Sequence, residues 1–318
     1  MRRILIGLLV ASSLLGFSQD KLLTIQDAIR GFQLYPKGLY DVQWLPGGQW
    51  FSQLTISESG QTIEVQEISV TKGRNISVSL DDINASLAED AKLKRLPRAN
   101  WISDKEFQFM SNSQGYAYHI EKKSIRLLTY KNAFNVNIPQ LFSDGTGYVA
   151  ETEKGLAFDF NGNSAEIKSD IDGIVIGKTV HRSEFGISGG LFPSPSHALL
   201  AYYEMDERMV TQYPLYKLAD TPATTNMIRY PTAGAKSHHV HVKIKDLRNV
   251  SDAITIKTTG DPEQYLTNVS WSADEKYVLI ALVNRAQNHM WLNKYDAKSG
   301  AFIKTLFEET NERYVLVN

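Results

Sequence analysis

Three residues near the middle of the chain combine charge with a spacing that suits recognition: His181, Arg182 and Glu184, in VHRSEFGISGGLFPSPSHALLAYYEMDERMV. Glycines follow at 186, 189 and 190, then a Pro-x-Pro corner at Pro193 and Pro195, then the apolar run Ala198 to Tyr203. A polar group set before a glycine-rich turn and backed by a buried strand is how a recognition point is mounted on a rigid sheet. An isolated glutamate is otherwise an ordinary solvated residue.

Three other constellations invite chemistry. GISGG fits the G-x-S-x-G pattern of a nucleophile elbow, which needs a strand before Ser188 and a helix after it. Pro193, Pro195 and a strand follow instead, so Ser188 reads as a turn residue. His238, His239 and His241 sit in SHHVHVKI, where His239 and His241 would share one strand face as a pair of imidazole ligands. No carboxylate stands at a persuasive spacing, and strand surface is the expectation. Asp159, Asn161 and Asn163 echo the oxygen spacing of a calcium loop, but the later glutamate is missing and Asn161-Gly162 is a natural hairpin turn. There is no phosphate loop, dinucleotide fingerprint or zinc-protease helix. No metal and no cofactor is called for.

The elements that would position these residues are strands. The 318 residues are 42% hydrophobic and 22% charged, and 15 Tyr, 13 Phe and 5 Trp suit sheets better than helical bundles. Net charge is -1, which gives no reason to expect a nucleic-acid partner. With no cysteine, disulfides, thiolate metal sites and cysteine nucleophiles are excluded. Residues 1–18 read as a signal peptide: Arg2 and Arg3, an apolar stretch from Ile4 to Phe17, and small residues at Gly16 and Ser18. The stretch is shorter than the ~18 to 20 residues that span a bilayer, so no membrane span is expected after cleavage. A periplasmic or secreted protein follows as the expectation.

Residues 19–35 form a lead-in with a helix over Thr24 to Phe32, opened by Thr24 and Asp27 in a capping box. Short β-branched or aromatic runs then dominate, among them QWFSQLTI, EFQFMS, GYVAE, LAFDF, ALLAYY, HVHVKI and YVLIALV. Leu80 to Leu96 permits a helical insert. Trp44, Trp101, Phe142, Phe192 and Trp271 each lead a turn and then a strand, spaced about 40 to 60 residues apart with one longer step, as β-propeller blades are. The longer step predicts an insertion from Met209 to Ala235. A β-sandwich would place turns more often, every ~8 to 12 residues. The expected fold is all-β, an incomplete β-propeller of about five to six blades over residues 36–318.

From Thr179 onward the sequence resembles the N-terminal β-propeller of dipeptidyl peptidase IV, in the prolyl oligopeptidase family of serine peptidases, and most the forms in Bacteroidetes-type bacteria. The residues that carry this are VHRSEFGI, SPSHALLAYYEMDERMV, MIRYPTAGAKSHHVHVKI with its Tyr230 to Gly234 motif, and the stretch from Tyr265 with Arg285 to Asn288. LTIQDAIRG and YPKGLYDVQWLPGG resemble the family's opening. The resemblance implies that Glu184 stands at the second position of a Glu-Glu pair that binds the free amino terminus of a peptide, with Arg182 and His181 in support. Ser183 stands in place of the first Glu, which leaves one carboxylate unless Glu204 or Asp206 contributes. The family's earlier-blade arginine has no match in this sequence.

Pro193 in place of a tryptophan and Ser196-His197 in place of a tight turn depart from the family's corner and imply a relaxed constraint there. In the family the catalytic Ser, Asp and His belong to an α/β-hydrolase domain after the propeller. The sequence ends at Asn318, before such a domain and short of eight blades, so the expectation is no catalytic residue here, inactivity alone, and unpaired strand edges. Expected partners are peptide substrates, a missing or separate α/β-hydrolase domain and a possible homodimer. The competing expectation is a non-catalytic periplasmic module that binds peptides or proteins. A self-sufficient hydrolase built on Ser188 is the third.

Overall fold

The computed structural model describes residues 24–30, 38–57, 60–68, 73–136 and 139–317. The signal-peptide expectation and most of the lead-in lie outside these residues. Helix α1 (Ile25–Arg30) begins where expected, with Thr24 and Asp27 exchanging side-chain and backbone bonds at 3.0 and 3.1 Å. Its expected continuation to Phe32 is outside the described residues.

The rest is all-β. Strands β1 (Tyr40–Trp44), β2 (Trp50–Ser57), β3 (Gly60–Glu67) and β4 (Asn75–Ser79) form a first antiparallel meander. Helix α2 (Leu80–Asn84) follows, capped by Ser79 and Asp82, and a single 3-10 turn at Glu89–Ala91. The helical insert is thus shorter than expected, because the Asn84 side chain bonds both backbone groups of Leu93 and bends the chain back. Strands β5 (Asn100–Trp101), β6 (Glu106–Ser111), β7 (Gln114–His119) and β8 (Ser124–Lys131) form the second sheet. The third is β9 (Gln140–Leu141), β10 (Gly147–Glu151), β11 (Gly155–Phe160) and β12 (Asn163–Lys168).

The fourth sheet joins β13 (Ile174–Ile176), β14 (Leu191–Pro193), β15 (Leu199–Asp206), β18 (His239–Asp246) and β19 (Ile254–Thr255). Between β15 and β18 an exposed ribbon of β16 (Gln212–Lys217) and β17 (Thr224–Arg229) occupies the expected insertion. The fifth sheet is β20 (Tyr265–Trp271), β21 (Tyr277–Val283), β22 (His289–Asp296) and β23 (Phe302–Thr310).

Each sheet packs face to face on the next, as propeller blades do. Side chains of the first and second sheets share one buried cluster, those of the third and fourth another, those of the fourth and fifth a third. Strand β15 shows how the sequence achieves this. Leu200 and Tyr202 point to the third sheet, while Ala201 and Tyr203 point to the fifth. Both faces are buried, so ALLAYY reads as an unbroken apolar run rather than an alternating one.

The repeated aromatics lie at or beside the end of the first strand of their sheets, except Phe192, which lies within β14 of the fourth, and the corners after four of them share one turn. Gly48, Gly145, His197 and Glu275 adopt left-handed φ of 57 to 77° and donate to the carbonyl three residues back. Neighbouring corners are tied together. Trp101 Nε1 donates to Ser52 Oγ at 2.8 Å, Trp271 Nε1 to the Phe192 carbonyl at 2.9 Å, and Ser196 Oγ to Glu275 at 2.9 Å. The corner expected to be relaxed is held closely: His197 stacks on Phe142 at 4.8 Å and lies 3.2 Å from Asp144. The putting of a histidine where a small turn residue is usual is offset by these contacts with the preceding sheet.

Candidate functional site

Residues 177–190 leave the fourth sheet and return to it. Strand β13 pairs with Glu204–Asp206 and β14 with Leu200–Tyr202, so the two follow one strand path along β15, and the residues between are an excursion from it. Its neck is closed by Tyr203, which accepts from Gly177 N at 2.8 Å and donates to Gly190 O at 3.0 Å. A Cβ at Gly190 would overlap the Lys178 carbonyl, which is the physical need for glycine there.

The excursion's tip is a 3-10 turn, His181–Ser183, in which all three residues have left-handed φ (50, 55 and 61°). Phe185 and Gly186 follow at 54 and 71°. Such backbone is costly for non-glycine residues and persists only where surrounding contacts fix it. Those contacts come from sheet five. Leu266 N–H donates to His181 Nε2 at 3.0 Å, Thr267 Oγ1 donates to the Phe185 carbonyl at 3.0 Å, and Phe185 packs edge-on against Tyr265 at 4.9 Å.

His181 is only 3% exposed, and its Nδ1 lies 3.0 Å from Nε2 of His238, itself 6% exposed. The Leu266 N–H needs a lone pair on His181 Nε2, so the neutral ring carries its proton on Nδ1 and donates it to His238 Nε2. The His238 proton is then on Nδ1. Burial, and after it the positive field of His238 and Arg285, holds His181 well below the usual histidine range. Burial first, then Arg285 and Arg182, brings His238 down to about 4. Both rings are neutral near pH 7, so His181 neither charges nor neutralises Glu184; it ties down the turn that carries it.

Beyond the turn, Glu184 is exposed at the rim of a cavity of about 420 Å³ whose walls include Arg182, Tyr230, His238, Tyr265 and Arg285. Among the described residues its carboxylate makes no ion pair and no side-chain hydrogen bond. Arg182 is not its partner: the guanidinium lies over the Tyr230 ring at 4.1 Å. Behind Arg182 a second cavity of about 390 Å³ reaches Glu207 and Arg229. On the far wall Arg285 and Gln287 both donate to the Tyr265 hydroxyl, and Arg285 lies 3.9 Å from Glu263. The three sequence-derived residues therefore meet at one cavity, Glu184 with a free carboxylate, Arg182 as a stacked wall and His181 as an anchor.

The other candidates fall elsewhere. Glu204 is held by Lys243 at 2.7 Å and Asp206 by Arg208 at 2.7 Å, which lowers the Asp206 carboxyl to about 2. Neither lines the Glu184 cavity. These carboxylates face His241 and His239 across the ladder, but no group of three or more metal-binding side chains assembles among the described residues. Ser188 is exposed and leads into β14, without the helix an elbow requires. Asp159 accepts from Gly162 N at 2.8 Å and Ser164 Oγ at 2.6 Å, closing the β11–β12 hairpin over left-handed Asn161 and Gly162. Sequence reasoning weighed His238 only as a metal ligand and gave no site role to Tyr265; a histidine just before a strand, with no carboxylate near, carries no signal of a ring-to-ring bond across 57 residues.

Comparison with known proteins bears on the fold and the family. Residues 156–318, from β11 onward and so including the excursion and both walls of the cavity, match the family described as the dipeptidyl peptidase IV N-terminal region. A protein of Tuber melanosporum (strain Mel28) named as a dipeptidyl-aminopeptidase B is 29% identical over 136 residues, covering 38% of this chain and 15% of that protein. The solved structure of a protein of Bacteroides ovatus ATCC 8483 named as a dipeptidyl aminopeptidase IV is 30% identical with a TM-score of 0.73, over 89% of this chain and 39% of that one. Porphyromonas gingivalis dipeptidyl peptidase 4 shares the fold at 17% identity and a TM-score of 0.71, over 94% of this chain and 44% of its own. The chain thus spans less than half the length of each. With the blade-like sheets, the anchored excursion and the matched half of the sequence in agreement, the chain belongs to the dipeptidyl peptidase IV N-terminal region family.

Proposed function

We propose that this chain is the propeller portion of a secreted or periplasmic serine exopeptidase of the dipeptidyl peptidase IV kind, and that Glu184 binds the free ammonium terminus of a peptide. The observation that carries this reading is the unpaired Glu184 carboxylate at the rim of a walled cavity. A carboxylate in that setting pairs with an ammonium group and fixes the distance from the peptide's end to the bond that is cut. Arg182, stacked on Tyr230, shapes the wall, and His181 holds the turn. Catalysis itself is the task of an α/β-hydrolase domain, separate from the cavity described here.

A second reading has its own support. The cavity has residues of this chain on several sides, Arg182, Tyr230, His238, Tyr265 and Arg285, and a non-catalytic peptide-binding module is consistent with the same site. Among the described residues no helix is long and apolar enough to cross a membrane. The test is calorimetric binding of a tripeptide with a free amino terminus and of its N-acetylated form. Preference for the free terminus by tenfold or more, abolished in Glu184→Gln, supports ammonium recognition; equal binding of the two peptides overturns it. Release of dipeptides by the full-length protein then separates the peptidase from the module.

A further inference from the structure

Among the contacts that hold the excursion carrying Glu184, one is a side-chain hydrogen-bond relay through two imidazoles. The main-chain N–H of Leu266 on β20 donates to His181 Nε2, and His181 Nδ1–H donates to His238 Nε2, each at 3.0 Å. Sheet four supplies one imidazole, the segment before β18 the other, and sheet five the amide. Each ring must be neutral for the relay to stand. A proton added to His181 Nε2 removes the acceptor of the Leu266 amide, and a proton added to His238 Nε2 sets two N–H groups against each other.

We propose that His238 is a positioning residue for the Glu184 turn, acting by fixing the tautomer of His181, and that uptake of protons by this pair on mild acidification releases the turn. This rests on Glu184 being the ligand-binding group, but the relay itself exists without a ligand. The strained backbone gives the release its direction. Left-handed His181, Arg182 and Ser183 are held against their own preference, so loss of the anchor frees residues that favour another conformation.

The charged groups around the pair act in both senses, and Glu184 on the cavity that both rings line is itself one of the carboxylates. Arg285 from sheet five and Arg182 from the excursion face the rings, as does His239 next in sequence; Glu263, which accepts from Ser237 N at 3.1 Å, is an opposing charge. Glu207 and Arg229 line the neighbouring cavity that both rings also reach. The Tyr265 ring packs against His181 from sheet five, 5.0 Å between ring centres.

The sign follows from linkage. In the anchored state His238 stays neutral down to about pH 4, and burial holds His181 well below the usual histidine range as well, whereas a released, solvated histidine takes up its proton near pH 6.5. Anchoring is therefore complete above about pH 6.5 and is lost progressively as pH falls toward 4. Between pH 7.5 and 5.5 each histidine raises the opening constant about 10-fold, or about 100-fold for the pair.

The test is hydrogen exchange at the Leu266 amide in the ligand-free full chain, corrected for the intrinsic rate. The expected result is an opening constant that rises about 100-fold from pH 7.5 to 5.5 in the native protein and about 10-fold in His238→Gln, whose amide oxygen still accepts from His181 but does not titrate in this range. A flat profile in the native protein, or an undiminished rise in His238→Gln, overturns the proposal. If the variant does not fold, ring nitrogen spectra of the native protein at pH 7.5 decide: Nδ1–H on both His181 and His238 supports the relay, and Nε2–H on either overturns it. Because no ligand is present, failure of this test is distinct from failure of ammonium recognition, which the acetylated peptide decides at pH 7.5.

Discussion

Two histidines in left-handed backbone do opposite work in this molecule. His197 sits in a corner with a single strained residue at φ 58°, stacked on Phe142 of the preceding sheet and beside Asp144. His181 sits at the tip of an excursion where three strained residues run together and its own ring reaches across to the next sheet. The first tightens contacts that the four-stranded sheets already make. The second helps hold a segment that has left its sheet, together with the Thr267–Phe185 hydrogen bond, the Phe185–Tyr265 contact and the neck closed by Tyr203. Strain spread over the corners is thus absorbed by the frame, while strain gathered in the excursion is balanced by its contacts with sheet five and exposes one carboxylate.

The largest expected effect falls on the frame. Tyr203 is fully buried, packs edge-on against Phe192, and donates its hydroxyl to the Leu266 carbonyl at 2.9 Å. Its backbone also closes the neck of the excursion. Tyr203→Ala should lower unfolding stability by about 3 to 5 kcal/mol, read by chemical denaturation with the peptide-binding site lost in parallel. If stability held while binding fell, the excursion would be the more rigid region and the comparison would be reversed. His197→Ala comes next: it removes the stack on Phe142 and the contact with Asp144 but leaves a residue poorly suited to left-handed backbone. A loss of about 1 to 2 kcal/mol is expected, with ammonium recognition unchanged because His197 lines neither cavity.

How much of this the sequence disclosed depends on burial. GYVAE, LAFDF, ALLAYY and YVLIALV are inner strands buried on both faces, and their apolar runs were readable at nearly the observed bounds. The outer strands β8, β12, β17 and β23 were not, because half or more of their residues face solvent and SIRLLTYK or FIKTLFEET mixes charges into the pattern. The aromatic corners and the inserted ribbon were legible because turn chemistry and blade spacing are local signals. The contacts that hold the Pro193 to His197 corner were not legible, since Phe142, Asp144 and Glu275 come from other sheets. Glu184, Arg182 and His181, which line one cavity, were singled out through resemblance. The His181–His238 bond and the Tyr265 wall were not, because both depend on which ends of sheets four and five come together.

The smallest expected change in stability, and the sharpest division between the two regions, belongs to Glu184→Gln. The side chain is exposed, makes no ion pair or hydrogen bond among the described residues, and is nearly isosteric with its replacement. Its removal should shift unfolding stability by no more than about 0.5 kcal/mol, measured in the same denaturation series as Tyr203→Ala. The positive cavity wall of Arg182 and Arg285 then has one carboxylate fewer facing it, which slightly raises local repulsion and sets the sign as a small loss. If instead the variant lost several kcal/mol, the carboxylate would be part of the anchor, and the excursion would be a structural element like the corners. Unchanged stability with lost preference for a free amino terminus places the strain in the backbone and the recognition in the side chain, two separate functions within four consecutive residues.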